Sequence, residues 1–305
     1  MEQAQTDITS ALPRVPHRLI GRERERAAAR DALLERAAPL LTLTGPGGVG
    51  KTRLALAIGS EVGDRFRDGV VWVDLAAISD PTHVPANLAE ALRLTLPAVG
   101  EIEDYLARLL RPRQLLLLLD NCEHLLATVA PLVSALLTRC PALQVLATSR
   151  APLRLRWEQI LPVPPLPTPV ADETLETIAG NEAIRLFVER ARAVQPDFTL
   201  TATNKEAVAR LCQQLDGLPL AIELAAARSA VLSPEAMVAQ MRDRLRLLAS
   251  GPRDVPPRHE TIAATIAWSY DLLDAESQWL FRRLAVFLGG FTLEAVAEVA
   301  GKGGE

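Results

Sequence analysis

Cysteine, histidine and aromatic residues are all scarce in this chain. Of 305 residues, three are Cys and four are His, and Phe, Trp and Tyr together make up 4%. Cys122, Cys140 and Cys212 are scattered, odd in number and without C-x-x-C spacing. That argues against a disulfide framework or a zinc site and fits reduced thiols in the cytoplasm. Cys122 and His124 lie close in sequence, but two candidate ligands without partners read as structural. Long apolar runs are missing too. No unbroken run is longer than that of Leu115 to Leu119, which is strand-sized and far short of the ~20 residues that span a bilayer. The start, Met1-Glu2-Gln3-Ala4-Gln5-Thr6-Asp7, has neither the basic residues nor the apolar stretch of a signal peptide. Neither charge dominates: 33 Lys plus Arg against 37 Asp plus Glu give a net −4. The chain as a whole therefore exerts no electrostatic pull on nucleic acid or an anionic membrane. A cytoplasmic location without a membrane partner is expected by elimination.

What is present is apolar substance. At 49% hydrophobic and 305 residues, the chain can bury a large core in two or three domains. Its most informative stretch is Gly45-Pro46-Gly47-Gly48-Val49-Gly50-Lys51-Thr52, which follows the apolar run Leu40 to Thr44 and precedes the helical pattern Arg53 to Ile58. Glycines let a backbone fold around phosphates, with successive N–H groups turned inward at a helix N-terminus where an anion is favoured. Lys51 is placed to reach the β- and γ-phosphates and the Thr52 hydroxyl to ligate Mg²⁺. Gly45, Gly47, Gly48, Val49, Gly50, Lys51, Thr52 and Arg53 are the expected contacts to ATP or ADP.

Around this loop, strand and helix patterns alternate. Strands are expected at 69–75, 114–120, 143–148 and 159–163, and helices at 22–37, 84–94, 101–110 and 123–138. The alternation predicts an α/β fold, a P-loop NTPase parallel sheet with helices on both faces. The leucines at 115–119 fit a central strand buried on both sides. Residues 1–18 read as a flexible lead-in. Repeated prolines from Pro162 to Pro169 end the nucleotide-binding domain, placed at 19–168. A small helical domain is expected at 169–250, with Ser233 as N-cap and Pro234 as first helical residue of its last helix. A third segment, 251–305, has helix candidates at 260–273, 275–287 and 293–300.

Asp120 ends the leucine strand, and the carboxyl ends of parallel strands form the ligand crevice. A carboxylate there can hold Mg²⁺ through water. The next residue, Asn121, is an amide where many related ATPases carry an acid, and an amide cannot accept a proton as a base. Glu123 could substitute only if the turn points it back, so slow hydrolysis is expected. Arg150, after Thr148-Ser149, fits two readings: a γ-phosphate sensor, or a surface arginine in a loop that also holds Arg154 and Arg156. Gly217-Leu218-Pro219-Leu220 reads as a turn between helices.

Together these segments resemble the NB-ARC-like nucleotide switches of the STAND class of ATPases, especially those of bacterial LuxR-like and antibiotic-regulatory (SARP-type) transcription regulators. The resemblance rests on Leu19 to Glu25, the phosphate loop, Leu118 to His124, Leu146 to Arg150, Gly217 to Ala221 and Trp268 to Leu273. It implies that Ile20 and Arg22 lie near adenine and ribose, that Arg150 senses the γ-phosphate, and that Pro219 contacts the base. It also implies that 251–305 is a winged-helix-like domain. Two departures stand out: no late histidine of the kind that holds ADP is seen, His259 being too early, and neither an effector domain nor a sensor repeat array is visible. The winged-helix region is therefore expected to be incomplete, with protein partners or missing domains completing the regulator and a nucleotide-dependent oligomer possible.

Three functions compete. The first is a regulatory ATP/ADP switch. Moving a two-state equilibrium from 1:99 to 99:1 takes roughly 5.5 kcal/mol, more than the roughly 1.5–3 kcal/mol of one charged hydrogen bond. Lys51, Arg150, Mg²⁺ and interdomain contacts would have to act together. The second is an AAA-like ATPase with substantial turnover or a small-molecule kinase, against which Asn121 weighs. The third is direct DNA binding through the C-terminal helices. Phe291 to Ala300 carries Glu294 and Glu298 and no Lys or Arg, so no DNA contact is expected from this chain.

Overall fold

The computed structural model describes residues 12–13, 18–94, 102–169, 174–241, 270, 273–287 and 292–301. Five apolar segments become strands: β1 (Leu40–Thr44), β2 (Val70–Asp74), β3 (Leu115–Asp120), β4 (Leu143–Ser149) and β5 (Glu158–Pro162). They form one sheet in the order β2-β3-β4-β1-β5 with every pairing parallel. All six β3 residues are buried. Its side chains alternate between faces. Leu115, Leu117 and Leu119 join one core cluster, while Leu116 and Leu118 join the other. The first cluster is completed by α3 (Val84–Ala91), α4 (Ile102–Leu110) and α5 (Leu126–Arg139), the second by α1 (Glu23–Arg30) and α2 (Lys51–Val62). Each leucine removed from water contributes roughly 1.5–3 kcal/mol, so this strand anchors both layers.

The strand order has a consequence for chemistry. β4 lies between β1 and β3, pairing Thr44 with Ser149 on one side and Ala147 with Leu119 on the other. The end of β4 is thereby set between the phosphate loop and Asp120.

After β5 the proline-rich segment runs extended. Val163 N donates to Thr44 O at 2.7 Å, and Leu166 N to Gly217 O at 2.9 Å. It leads to α6 (Leu175–Gly180), α7 (Glu182–Val194), α8 (Lys205–Gln214), α9 (Pro219–Ala226) and α10 (Pro234–Gln240). Their apolar faces share a third core that includes Ile184, Phe187, Leu211, Ile222 and Met237. Ser233 caps α10 by accepting from Ala236 N, with Pro234 at its first position, as the sequence led one to expect. The short α6, capped by Thr174, was not anticipated.

Two expected helices differ in detail. The one placed at 22–37 is α-helical over α1 and then continues as a π-helical turn, Asp31–Glu35. The one placed at 123–138 begins only at Leu126, because Asn121 adopts a left-handed backbone (φ 69°) and Cys122–His124 form a 3-10 turn. In the C-terminal segment, α11 (Ala275–Leu284) and α12 (Leu293–Gly301) pack together. The helix expected at 260–273 lies outside the described residues apart from Tyr270 and Leu273, as do Trp268, Ser269, Asp271 and Leu272 and most of the lead-in. Among the described residues, no helix is long and apolar enough to cross a membrane.

Candidate functional site

The phosphate loop joins β1 to α2, with Gly50 in left-handed conformation at the helix start (φ 93°). Lys51, the first residue of α2, is 9% exposed. Its Nζ donates to Gly45 O at 2.8 Å and to Pro46 O at 3.0 Å. Burial pulls the ammonium below the ordinary lysine range and Arg150 reinforces this, while Glu123 and Asp120 oppose it. The loop is also in contact with the helical unit. Leu220 N, in the first turn of α9, donates to Gly48 O at 3.1 Å. Gly48 has φ +76°, and a Cβ there would stand 3.1 Å from that of Leu220. A side chain at 48 would strain the backbone and push the two units apart.

At the end of β3, Asp120 is 2% exposed. Thr52 Oγ1 donates to its Oδ1 and Oδ2 at 2.8 and 3.0 Å, and Thr148 Oγ1 donates to Oδ1 at 2.6 Å. Burial pushes the Asp120 carboxyl up to about 6, against the opposing pull of these two hydroxyls. A buried carboxylate beside a threonine hydroxyl, short of positive charge, is a hard oxygen pair that suits Mg²⁺. Both expected metal ligands are thus brought together.

Beyond Asp120 the chain turns sharply. The hydrogen-bonding orientation of the Asn121 amide has its nitrogen donating to Glu123 Oε1 and Oε2 at 2.9 and 3.2 Å. Arg150 Nε donates to the same Glu123 Oε1 at 3.2 Å. Cys122 Sγ donates to Leu119 O and His124 Nε2 bonds Ile78 O, so both serve to hold the turn. The turn returns Glu123 to the cleft.

The cleft's walls come from both units. Gly47, Gly48, Gly50, Lys51, Thr52 and Arg53 line one side; Asn121, Glu123, Thr148 and Arg150 come from the sheet edge; Pro219, Leu220 and Glu223 close it from α9. Arg53 Nη1 meets Glu223 Oε1 at 2.6 Å, and Arg190 Nε from α7 meets the same oxygen at 3.0 Å. Four expected contacts do not line this cleft. Ile20 joins the helical core, and Arg22 lies behind the loop, donating to Val49 O at 3.2 Å and to Glu25 at 2.9 Å. Val49 is buried, and Gly45 takes part through the carbonyl that Lys51 holds.

Sequence reasoning did not assign Thr148, Leu220 or Glu223 to the site, and it kept Glu123 only as a substitute base that depended on the turn. Glu223 sits one helical turn beyond Pro219, a spacing that places both on one face of α9. Its arginine partners are 33 and 170 residues away in sequence, and nothing local signals them.

Residues 34–155 match the family model described as an AAA domain. "Uncharacterized protein Rv0894" of Mycobacterium tuberculosis is 40% identical over 281 residues, covering 92% of this chain and 68% of that protein. The chain belongs to that family. The AAA-domain match agrees with the P-loop nucleotide-binding fold read from the motifs. "Putative HTH-type transcriptional regulator Rv0890c" of the same organism is 45% identical over 261 residues, which are 86% of this chain. The chain spans only 28% of that regulator's length. Among solved structures, Drosophila ORC bound to DNA aligns with 92% of this chain and 80% of its own at a TM-score of 0.50 and 16% identity, a likeness of fold.

Proposed function

We propose that this STAND-like core is an ATP/ADP-binding switch with slow or no intrinsic hydrolysis, the regulatory centre of a transcriptional regulator. One observation carries the reading: the cleft at the phosphate loop is closed by α9 of the helical unit, so a nucleotide in it would touch both units at once. Lys51 and the loop N–H groups would hold the phosphates, Thr52 and Asp120 would hold Mg²⁺, and Pro219 would face the base. Bound Mg²⁺ would supply positive charge to the phosphate oxygens. Arg150 would report the γ-phosphate through a charge-assisted hydrogen bond.

The divisions 19–168, 169–250 and 251–305 are part of this proposal. The separate helical core, drawn almost wholly from 178–241, supports the first boundary. Effector and sensor functions would lie in further domains or partners, as the short share of Rv0890c suggests. A winged-helix role for 251–305 is kept as part of the reading. Direct DNA contact by α12 is not, since it carries Glu294 and Glu298 and no basic residue.

The test is to identify nucleotide retained by the purified chain and to compare a Lys51→Ala variant. Retained ADP in the wild type, lost in the variant, is the expected result. Equal retention by both, or none by either, would defeat the reading.

A further inference from the structure

Glu123 has no role in the switch as described, yet it is one of two glutamates in the cleft wall. The other, Glu223, is taken by Arg53 and Arg190 and belongs to the helical unit. Asp120 is engaged by two threonine hydroxyls and is placed to hold a cation. Glu123 is 10% exposed and held by neighbours that can let go: the Asn121 amide and the Arg150 guanidinium. Its backbone is anchored. Asn121 N donates to Thr148 Oγ1 at 2.9 Å, Leu125 N to Cys122 O at 3.0 Å, and His124 Nε2 meets Ile78 O at 3.0 Å. The left-handed Asn121 is what doubles the chain back, so the carboxylate missing at position 121 is supplied two residues later. Its charge acts on the Lys51 ammonium more strongly than that of Asp120.

We infer that Glu123 is the catalytic base for the hydrolytic water, and that Arg150 withholds it by pairing with it until a γ-phosphate draws the guanidinium away. This rests on the nucleotide-switch reading and adds its regulation. In the step, the water oxygen forms a bond to the γ-phosphorus as the bond to the β–γ bridging oxygen breaks. The electron pair of that bond leaves with ADP, and the water proton passes to a Glu123 carboxylate oxygen. ATP and water become ADP and phosphate with no other reactant. The base is then available only while a γ-phosphate occupies the cleft, and the turn that the sequence left undecided points Glu123 back to it.

Glu123→Gln separates this from a structural role, because it removes both the base and the anion that holds Arg150. With Mg²⁺, turnover is expected to fall at least about 100-fold, the range for losing a general base. Equilibrium binding of fluorescent nucleotides should show the opposite sign: ATP tightens several-fold relative to ADP, since Arg150 is released to the γ-phosphate. Glu123→Asp, which keeps the charge, should retain intermediate turnover and guards against a folding defect in the amide variant. Wild-type turnover in Glu123→Gln, an unchanged ATP-to-ADP affinity ratio, or a wild type that binds ATP without ever hydrolysing it would overturn the inference while leaving the switch reading intact. A wild type that binds no nucleotide overturns both.

Discussion

The leucine strand β3 is buried and the seam between the phosphate loop and α9 is half-buried, and the two are held in opposite ways. β3 buries five consecutive leucines, each at most 5% exposed, between two apolar layers. The seam is directional and polar: Leu220 N to Gly48 O, Leu166 N to Gly217 O, and one Glu223 oxygen shared by Arg53 and Arg190. Apolar burial is indifferent to which anion occupies the neighbouring cleft. A seam built on charge is not, because a phosphate introduced beside Arg53 and Lys51 changes the field in which Glu223 holds its arginines. In the proposed switch the sheet would supply the stability and the seam the response.

Three substitutions break the comparison at different points. Leu117→Ala should cost the most, roughly 2–5 kcal/mol for a fully buried leucine, read by denaturant unfolding. It should weaken sheet and seam alike and leave the ATP-to-ADP affinity ratio unchanged.

Asp120→Asn comes next and carries a pH signature. The carboxyl titrates near 6 when folded, against 3.8 for an ordinary aspartate. The folded state holds the extra proton between those values, so stability falls as pH rises through that window. Above it the ionised buried group costs up to roughly 3 kcal/mol. In EDTA, the asparagine variant should therefore be more stable than wild type by about 2 kcal/mol at pH 8 and by little at pH 4, as thermal unfolding across pH would show. It should also lose the Mg²⁺ dependence of nucleotide binding. An aspartate whose burial costs stability fits a metal ligand better than a strand terminator.

Glu223→Gln should have the smallest effect on stability, about 1–2 kcal/mol, because its partners are unequally buried. Arg53 is 30% exposed and Arg190 only 9%. The loss should be confined to the helical unit, with hydrogen exchange of α7 and α9 faster by about 5–30-fold and β3 unaffected. Equal loss in β3 would mean that the seam and the sheet are one cooperative body.

The sheet was legible in the sequence because each strand is signalled by its own residues. Leu115 to Leu119 and Val70 to Asp74 need no distant partner to be recognised. The phosphate loop was legible for the same reason, its glycines and Lys51 being contiguous. Asp120 and Arg150 could be assigned because they end strands that a parallel sheet must bring to one edge. The remainder depended on geometry with no local pattern. A single left-handed residue, Asn121, decides that Glu123 faces the cleft. The Glu223 pairing joins residues from three helices, and Arg22 turned out to brace the loop from behind.

The central claim is that the seam at α9 responds to which nucleotide the loop holds. Hydrogen exchange of residues 217–226 in the wild-type chain, with Mg²⁺ and either ADP or a non-hydrolysable ATP analogue at saturation, tests it most directly. The account predicts distinct protection in the two states, with β3 equally protected in both. Identical exchange at α9 with both nucleotides bound would contradict it.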